Sequence, residues 1–183
     1  LELQHSDTLK QNWDFSWSLI TNLGFDLLIL PLAGIIGLQS ATWLLTALLA
    51  PLMISGFFRV AKAVHGHAPP TWLAALPFAM SFPYHYGFVN YWFSCALALH
   101  AFASWIRAKE RAPFSAVPIV LLSLSCLVLW LVHVYGWLLL VMLAGGYEAS
   151  RVWSWRIRDL ARVAGVVIFR SLPLFSPVIL LGQ

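Results

Sequence analysis

The sequence predicts an all-α, polytopic membrane protein built from short broken helices and hairpins, with one amphipathic helix at the interface. Two observations carry this expectation. The chain is 61% apolar and only 10% charged, with eleven basic and seven acidic residues in 183. Its mean hydropathy is +0.81. An ordinary soluble domain carries roughly 25% charged residues, so these eighteen are too few to wet the surface around so apolar a core. The charges are also gathered: none falls in 27–58, 63–106 or 112–147, stretches of 32, 44 and 36 residues. A spanning helix needs about 20 apolar residues. A soluble globular domain, a disordered tail and a free nucleic-acid binder are excluded. The net charge of +4 fits the positive-inside bias of membrane proteins. The chain begins at Leu1 and ends at Gln183 inside an apolar stretch. It reads as one transmembrane domain over 1–183, a piece of a longer multi-pass protein.

Residues 1–16 are polar and acidic, with Glu2, Asp7 and Asp14 against Lys10, and no cleavable signal peptide is visible there. Residues 17–38 read as an apolar helix. Asp14, Ser18, Asn22 and Asp26 recur every four residues and so would line one face. Pro31 kinks or interrupts the second half. This helix either spans with its polar stripe toward a cavity or lays its first half along the interface. Residues 41–58 form a clearer span, followed by Arg59 and Lys62 and by a loop with prolines at 69 and 70.

Residues 72–106 as one helix would measure about 52 Å, against a hydrocarbon core of roughly 30 Å. The segment should break at SFPYHYG (81–87), where Pro83 ends a helix and Gly87 permits a turn. That leaves a short helix at 72–82 and a full span at 88–106. The loop RAKERAP (107–113) is basic. Residues 114–147 are again too long for one span, and VHVYGW (132–137) marks their break. YHYGF and HVYGW share a His, then Tyr-Gly and an aromatic; an internal repeat and chance fit these few positions equally. Residues 149–164 are amphipathic. Trp153, Ile157, Leu160 and Ala164 fall on one side, with Arg151, Arg158 and Arg162 on another, as in a helix lying at the interface. Residues 165–182 begin another apolar segment, broken by Pro173 and Pro177.

The basic segments 59–62, 107–111 and 151–162 all belong in the cytoplasm by the positive-inside rule. Segments 72–106 and 114–147 must then each cross an even number of times, as hairpins with SFPYHYG and VHVYGW at the outer apices. Residues 1–16 are cytoplasmic if 17–38 and 41–58 both span, and outside if 17–38 lies on the outer interface. Their acidic character favours outside.

Polar groups at membrane depth are costly and therefore candidate site residues. Asp26 is either a solvated or capping carboxylate near the interface or a site residue in a water-filled cavity. His85, Tyr86 and Asn90 at the first apex, with His133 and Tyr135 at the second, form either an interfacial aromatic belt or a polar-aromatic site. Such a site would stack sugar rings and hydrogen-bond their hydroxyls. His100 reads as a packed or snorkelling histidine. His65 and His67 lack a third ligand, so no metal site is assigned. Cys95 and Cys126 read as small packing residues, and Ser94 and Ala98 suit close helix packing. The sequence contains no P-loop, GxSxG, HExxH or CxxC motif.

Three stretches, HSDTLKQNWDFSWSLITNLGFDLLILPLA (5–33), PYHYGFVNYWFSCALALHAFASWIR (83–107) and LVHVYGWLLLVMLAGGYE (131–148), resemble bacterial membrane glycosyltransferases of the GT-C type. The resemblance implies an inverting transfer of a sugar from a polyprenyl-phosphate donor to an acceptor at the outer face of the bacterial inner membrane. It implies a carboxylate general base in the first outer loop. Asp7 and Asp14 are the nearest candidates and Asp26 completes the set, unless that base lies upstream of Leu1. No DxD or ExD motif is present. The resemblance implies membrane lipids, the lipid-linked donor and an acceptor as partners, and no nucleic acid. It specifies no cofactor and leaves a divalent metal open. Two other classes fit the pattern. Paired broken hairpins suit a transporter or flippase, and a non-catalytic membrane subunit would need none of these side chains.

Overall fold

The computed structural model describes residues 7–12, 21–112, 115–152, 164–165 and 173–177, and these form helices and turns with no strand among them. The helices are α1 (Asp7–Asn12), α2 (Gly24–Ile36), α3 (Leu38–His65), α4 (Phe82–His85), α5 (Val89–Arg111), α6 (Val117–Val132) and α7 (Val134–Val152), with a 3-10 segment at Pro70–Met80. The chain is thus all-helical over the described residues. Asp14, Ser18 and most of the expected amphipathic helix at 149–164 lie outside them.

The helix expected over 17–38 starts only at Gly24. Asn22 has φ of 83° and stands outside it, so it cannot share a helical face with Asp26, and the predicted polar stripe is not continuous. A short amide side chain tolerates this left-handed backbone better than most. α2 continues through Pro31 and stops at Gly37 instead. Gly37 has φ 81° and ψ 153°, a backbone region open essentially to glycine alone. There the chain reverses, and α2 packs antiparallel to α3.

α3 runs for 28 residues, through Pro51 and past Arg59 and Lys62, and is capped by Gly66. Among the described residues it is the one helix long and apolar enough to cross a membrane; α2 and α6 are apolar but shorter.

The break expected at 81–87 is present. The segment before it, expected as a helix over 72–82, is a 3-10 run ending at Met80. Pro70 and Pro77 remove backbone donors along it. The indole of Trp92 donates to the Ala79 carbonyl at 3.1 Å, holding this run against the start of α5. The second break is a single residue. His133 is extended (φ −173°, ψ 133°) between α6 and α7.

Contacts along the helices give their directions. Gly56 of α3 approaches Ala96 and Leu99 of α5, and Arg59 reaches His100 and Ser104 further along both. α3 and α5 are therefore parallel. Ser94 of α5 meets Gly136 of α7 at one end, and Lys109 meets Glu148 at the other, so α5 and α7 are also parallel. α6 runs back antiparallel and packs against both, with His133 beside Tyr91. The described charges of the long helices α3, α5 and α7 thus gather at one end, and both breaks lie at the other.

Helix α5 is the centre of the bundle. Its Ser94, Ala96, Ala98 and Ala103 are fully buried, and such small side chains let neighbouring helices approach closely. On its α3 side, Arg59 donates to His100 Nδ1 (3.1 Å) and Ser104 Oγ (3.0 Å), and His100 Nε2 lies 3.0 Å from the Leu52 carbonyl. On its α7 side, Lys109 pairs with Glu148, which is only 2% exposed. Lys109 also lies 5.1 Å over the Trp105 ring. The C-terminal turn at 173–177 closes over α6 and α7. The Trp137 indole donates to Leu174 O at 2.7 Å, and Ser176 Oγ donates to Ser123 O at 3.0 Å.

A Cβ at Gly136 would stand 2.5 Å from Ser94 Cβ and 2.8 Å from its backbone. Gly136→Ala should therefore destabilise the bundle by about 1–3 kcal/mol, as overpacking does. Gly146→Ala, where a Cβ would meet nothing within 4 Å, should be neutral or stabilising by up to about 1 kcal/mol. Thermal unfolding of the two variants in detergent checks both.

Candidate functional site

The end that carries both breaks holds most of the predicted site residues. His133, freed from helical geometry, stacks on Tyr135 two residues on (centroids 5.6 Å, planes 27° apart). The Tyr135 N–H points to His133 Nδ1 at 3.3 Å, so Nδ1 accepts and Nε2 carries the ring proton. Partial burial pulls the His133 imidazole below its ordinary pKa, which favours this neutral ring. Tyr91, from the first turn of α5, stands edge-on to both, 5.8 Å from His133 and 5.5 Å from Tyr135. Tyr135 is exposed and the other two are half-buried. The cluster offers an aromatic surface with two phenolic hydroxyls and one imidazole N–H.

Tyr91 was not among the residues expected here. Its sequence neighbour Asn90 was, and Asn90 plays a different part. Its side-chain N–H donates to Asn22 O at 3.0 Å, and its side-chain oxygen accepts from the N–H of Phe25. It thus satisfies an otherwise unpaired donor in the first turn of α2 from another helix, in the way an N-cap does. The N–H of Leu23 donates to Leu131 O at 3.0 Å, fixing the same segment to the end of α6. Asn90 is a positioning residue, with its side-chain oxygen and one amide hydrogen bound to backbone.

Two expected members lie apart from the cluster. His85 is exposed, edge-on to Tyr84, and Tyr86 stacks on Phe82 with centroids 4.1 Å apart. The carboxylates are separate too. Asp7 lies on α1, fully exposed and 3.7 Å from Lys10. Asp26 is exposed in the first turn of α2, where a negative charge complements the helix dipole. It follows Phe25 directly, whose N–H is held by Asn90, the sequence neighbour of Tyr91. The imidazole of His67 turns to the carbonyl of His65 (3.0 Å). Among the described residues no three His, Cys, Asp or Glu side chains come together as a metal-binding group.

Asn90→Ala would leave the Phe25 N–H and the Asn22 carbonyl without their partner. The expected cost is about 1–3 kcal/mol of stability. Hydrogen exchange checks it: the Phe25 amide should lose protection in the variant while amides in the middle of α5 keep theirs.

Comparison with family models, with curated proteins and with solved structures finds no match to this chain.

Proposed function

We propose that this chain is a multi-pass integral membrane protein with GT-C-like glycosyltransferase activity, acting at the extracytoplasmic face of a bacterial inner membrane. The observation that carries the reading is the distribution of surface. Ile35 is 80% exposed, Met142 74% and Trp43 72%, and further large apolar side chains cover the flanks of α2, α3, α6 and α7. The charges of α3, α5 and α7 sit together at one end. Apolar flanks of this extent suit lipid rather than water, and a basic end suits the cytoplasmic side. Both helix breaks then face outward, as hairpin apices.

In this reading Tyr91, His133 and Tyr135 hold the sugar of a polyprenyl-phosphate donor. The rings stack on its apolar face and the N–H and hydroxyls bind its polar edge. Asp26 takes the proton from the acceptor hydroxyl. That oxygen then attacks the anomeric carbon and forms the new glycosidic bond. The bond from that carbon to the phosphate oxygen breaks, polyprenyl phosphate leaves with the electron pair, and the configuration inverts.

The test is transfer of radiolabelled sugar from a polyprenyl-phosphate donor by full-length protein in proteoliposomes. Asp26→Asn should lower the rate by about 10²-fold or more, the usual contribution of a general base, and Tyr135→Ala should weaken donor binding. Unchanged transfer in Asp26→Asn would remove this carboxylate from the chemistry. Topology has its own test. Single cysteines at positions 85 and 133 should react with a membrane-impermeant reagent from one side, and those at 65 and 110 from the other. Labelling of 85 or 133 from the same side as 110 would refute the hairpin arrangement.

A further inference from the structure

The charged end of the bundle contains a recess that the transfer reaction does not use. α3 and α5 run parallel and end side by side, α3 at Gly66 and α5 at Arg111. Between their ends lies a cavity of about 380 Å³, lined by Lys62, Ala63, Gly66, Arg107, Glu110 and Arg111 among others. That volume falls in the range of small-ligand sites. Arg107 and Arg111 are one helical turn apart on the same face of α5, and Lys62 faces them from the last turn of α3.

Neighbouring charges show what is unusual here. Lys109 is engaged with Glu148 and stands over two aromatic rings. Arg59 is held by His100 and Ser104. Lys62, Arg107 and Arg111 have no ion pair or side-chain hydrogen bond among the described residues, although Glu110 lines the same recess. Attraction to the C-terminal dipoles of α3 and α5 explains why cations gather at this end. It does not explain why three of them converge on one concavity. Three cations and one carboxylate leave a formal charge of +2, which a single phosphate monoester of about −1.5 to −2 balances. A guanidinium fork matches phosphate oxygens two at a time, and an ammonium adds a point charge.

We propose that this recess is a binding site for a phosphate-bearing anion, presented either by a lipid headgroup or by a soluble phosphate. The lipid source rests on the membrane reading above; the soluble source does not.

The test uses the full chain with two probes, phosphatidic acid mixed into phosphatidylcholine nanodiscs and inorganic phosphate added to the protein in neutral detergent. Binding is read by calorimetry and by the shift in thermal unfolding. Arg107→Gln and the exposed Arg111→Gln should each weaken binding about fivefold, as expected for one cation near a lipid surface. Arg107→Lys should keep part of the affinity, because charge remains and the fork is lost. Arg151→Gln, outside the recess, should bind as the parent does. Binding of phosphatidic acid alone assigns the site to a lipid, and binding of inorganic phosphate assigns it to a soluble anion. The proposal is overturned if neither probe binds, or if Arg151→Gln weakens binding as much as Arg107→Gln. Flotation of the parent protein with vesicles separately reads whether the membrane assignment holds, so the two failures are distinguishable.

Discussion

Everything in this bundle depends on how closely its neighbours can approach α5. Ser94, Ala96, Ala98 and Ala103 present almost no side-chain bulk, and Gly136 and Gly56 come against them from either side. Backbone-to-backbone packing of this kind is stabilised by dispersion contacts that do not require water to be expelled. It therefore works as well in lipid as in water. α3 and α7 run parallel to α5 and pack on it directly, and α6 runs antiparallel against both α5 and α7.

That arrangement sorts the chemistry along one axis. One end holds Arg59, Lys62, Arg107, Lys109, Glu110, Arg111, Glu148 and Arg151, because they occupy the last two turns of three parallel helices. The buried carboxylate of Glu148 is tolerated there through its pairing with Lys109, since an unpaired charge so buried would be strongly unfavourable. The opposite end holds the two interruptions, where the backbone leaves helical geometry and needs other partners. Beside them, Asn90 and the Leu131 carbonyl bind the backbone at the start of α2, and the Trp92 indole holds the end of the 3-10 run. The aromatic cluster sits on that scaffold, and the position of His133 follows from a one-residue break that turns its ring back over Tyr135.

The breaks were legible in the sequence because length and proline act locally. Thirty-five charge-free residues exceed any bilayer as a single helix, and Pro83, Gly87 and His133 lie where the interruption had to be. The gathering of 59–62, 107–111 and Arg151 at one end agrees with the same reading, while the rest of 151–162 lies outside the described residues. The polar stripe misled, because four-residue spacing implies a shared face only if the helix is continuous, and Asn22 breaks it with a positive φ. Asn90 resembled a ligand-binding amide, but a backbone donor in α2, 65 residues away in sequence, claims its oxygen. Tyr91 became visible only once α5 and α7 were placed side by side. The recess at Lys62, Arg107 and Arg111 likewise needs the parallel pairing of α3 with α5, which no local spacing encodes.

The aromatic site requires α5 and α7 to be parallel, with the charges at one end and the breaks at the other. Spin labels at the exposed positions 110, 135 and 151 of the full chain, reconstituted in bilayers, measure this directly. Position 110 should lie near 151 and far from 135. Positions 135 and 151 should themselves be separated by about 24 Å of helix. A shorter distance from 110 to 135 than from 110 to 151 would contradict the parallel arrangement.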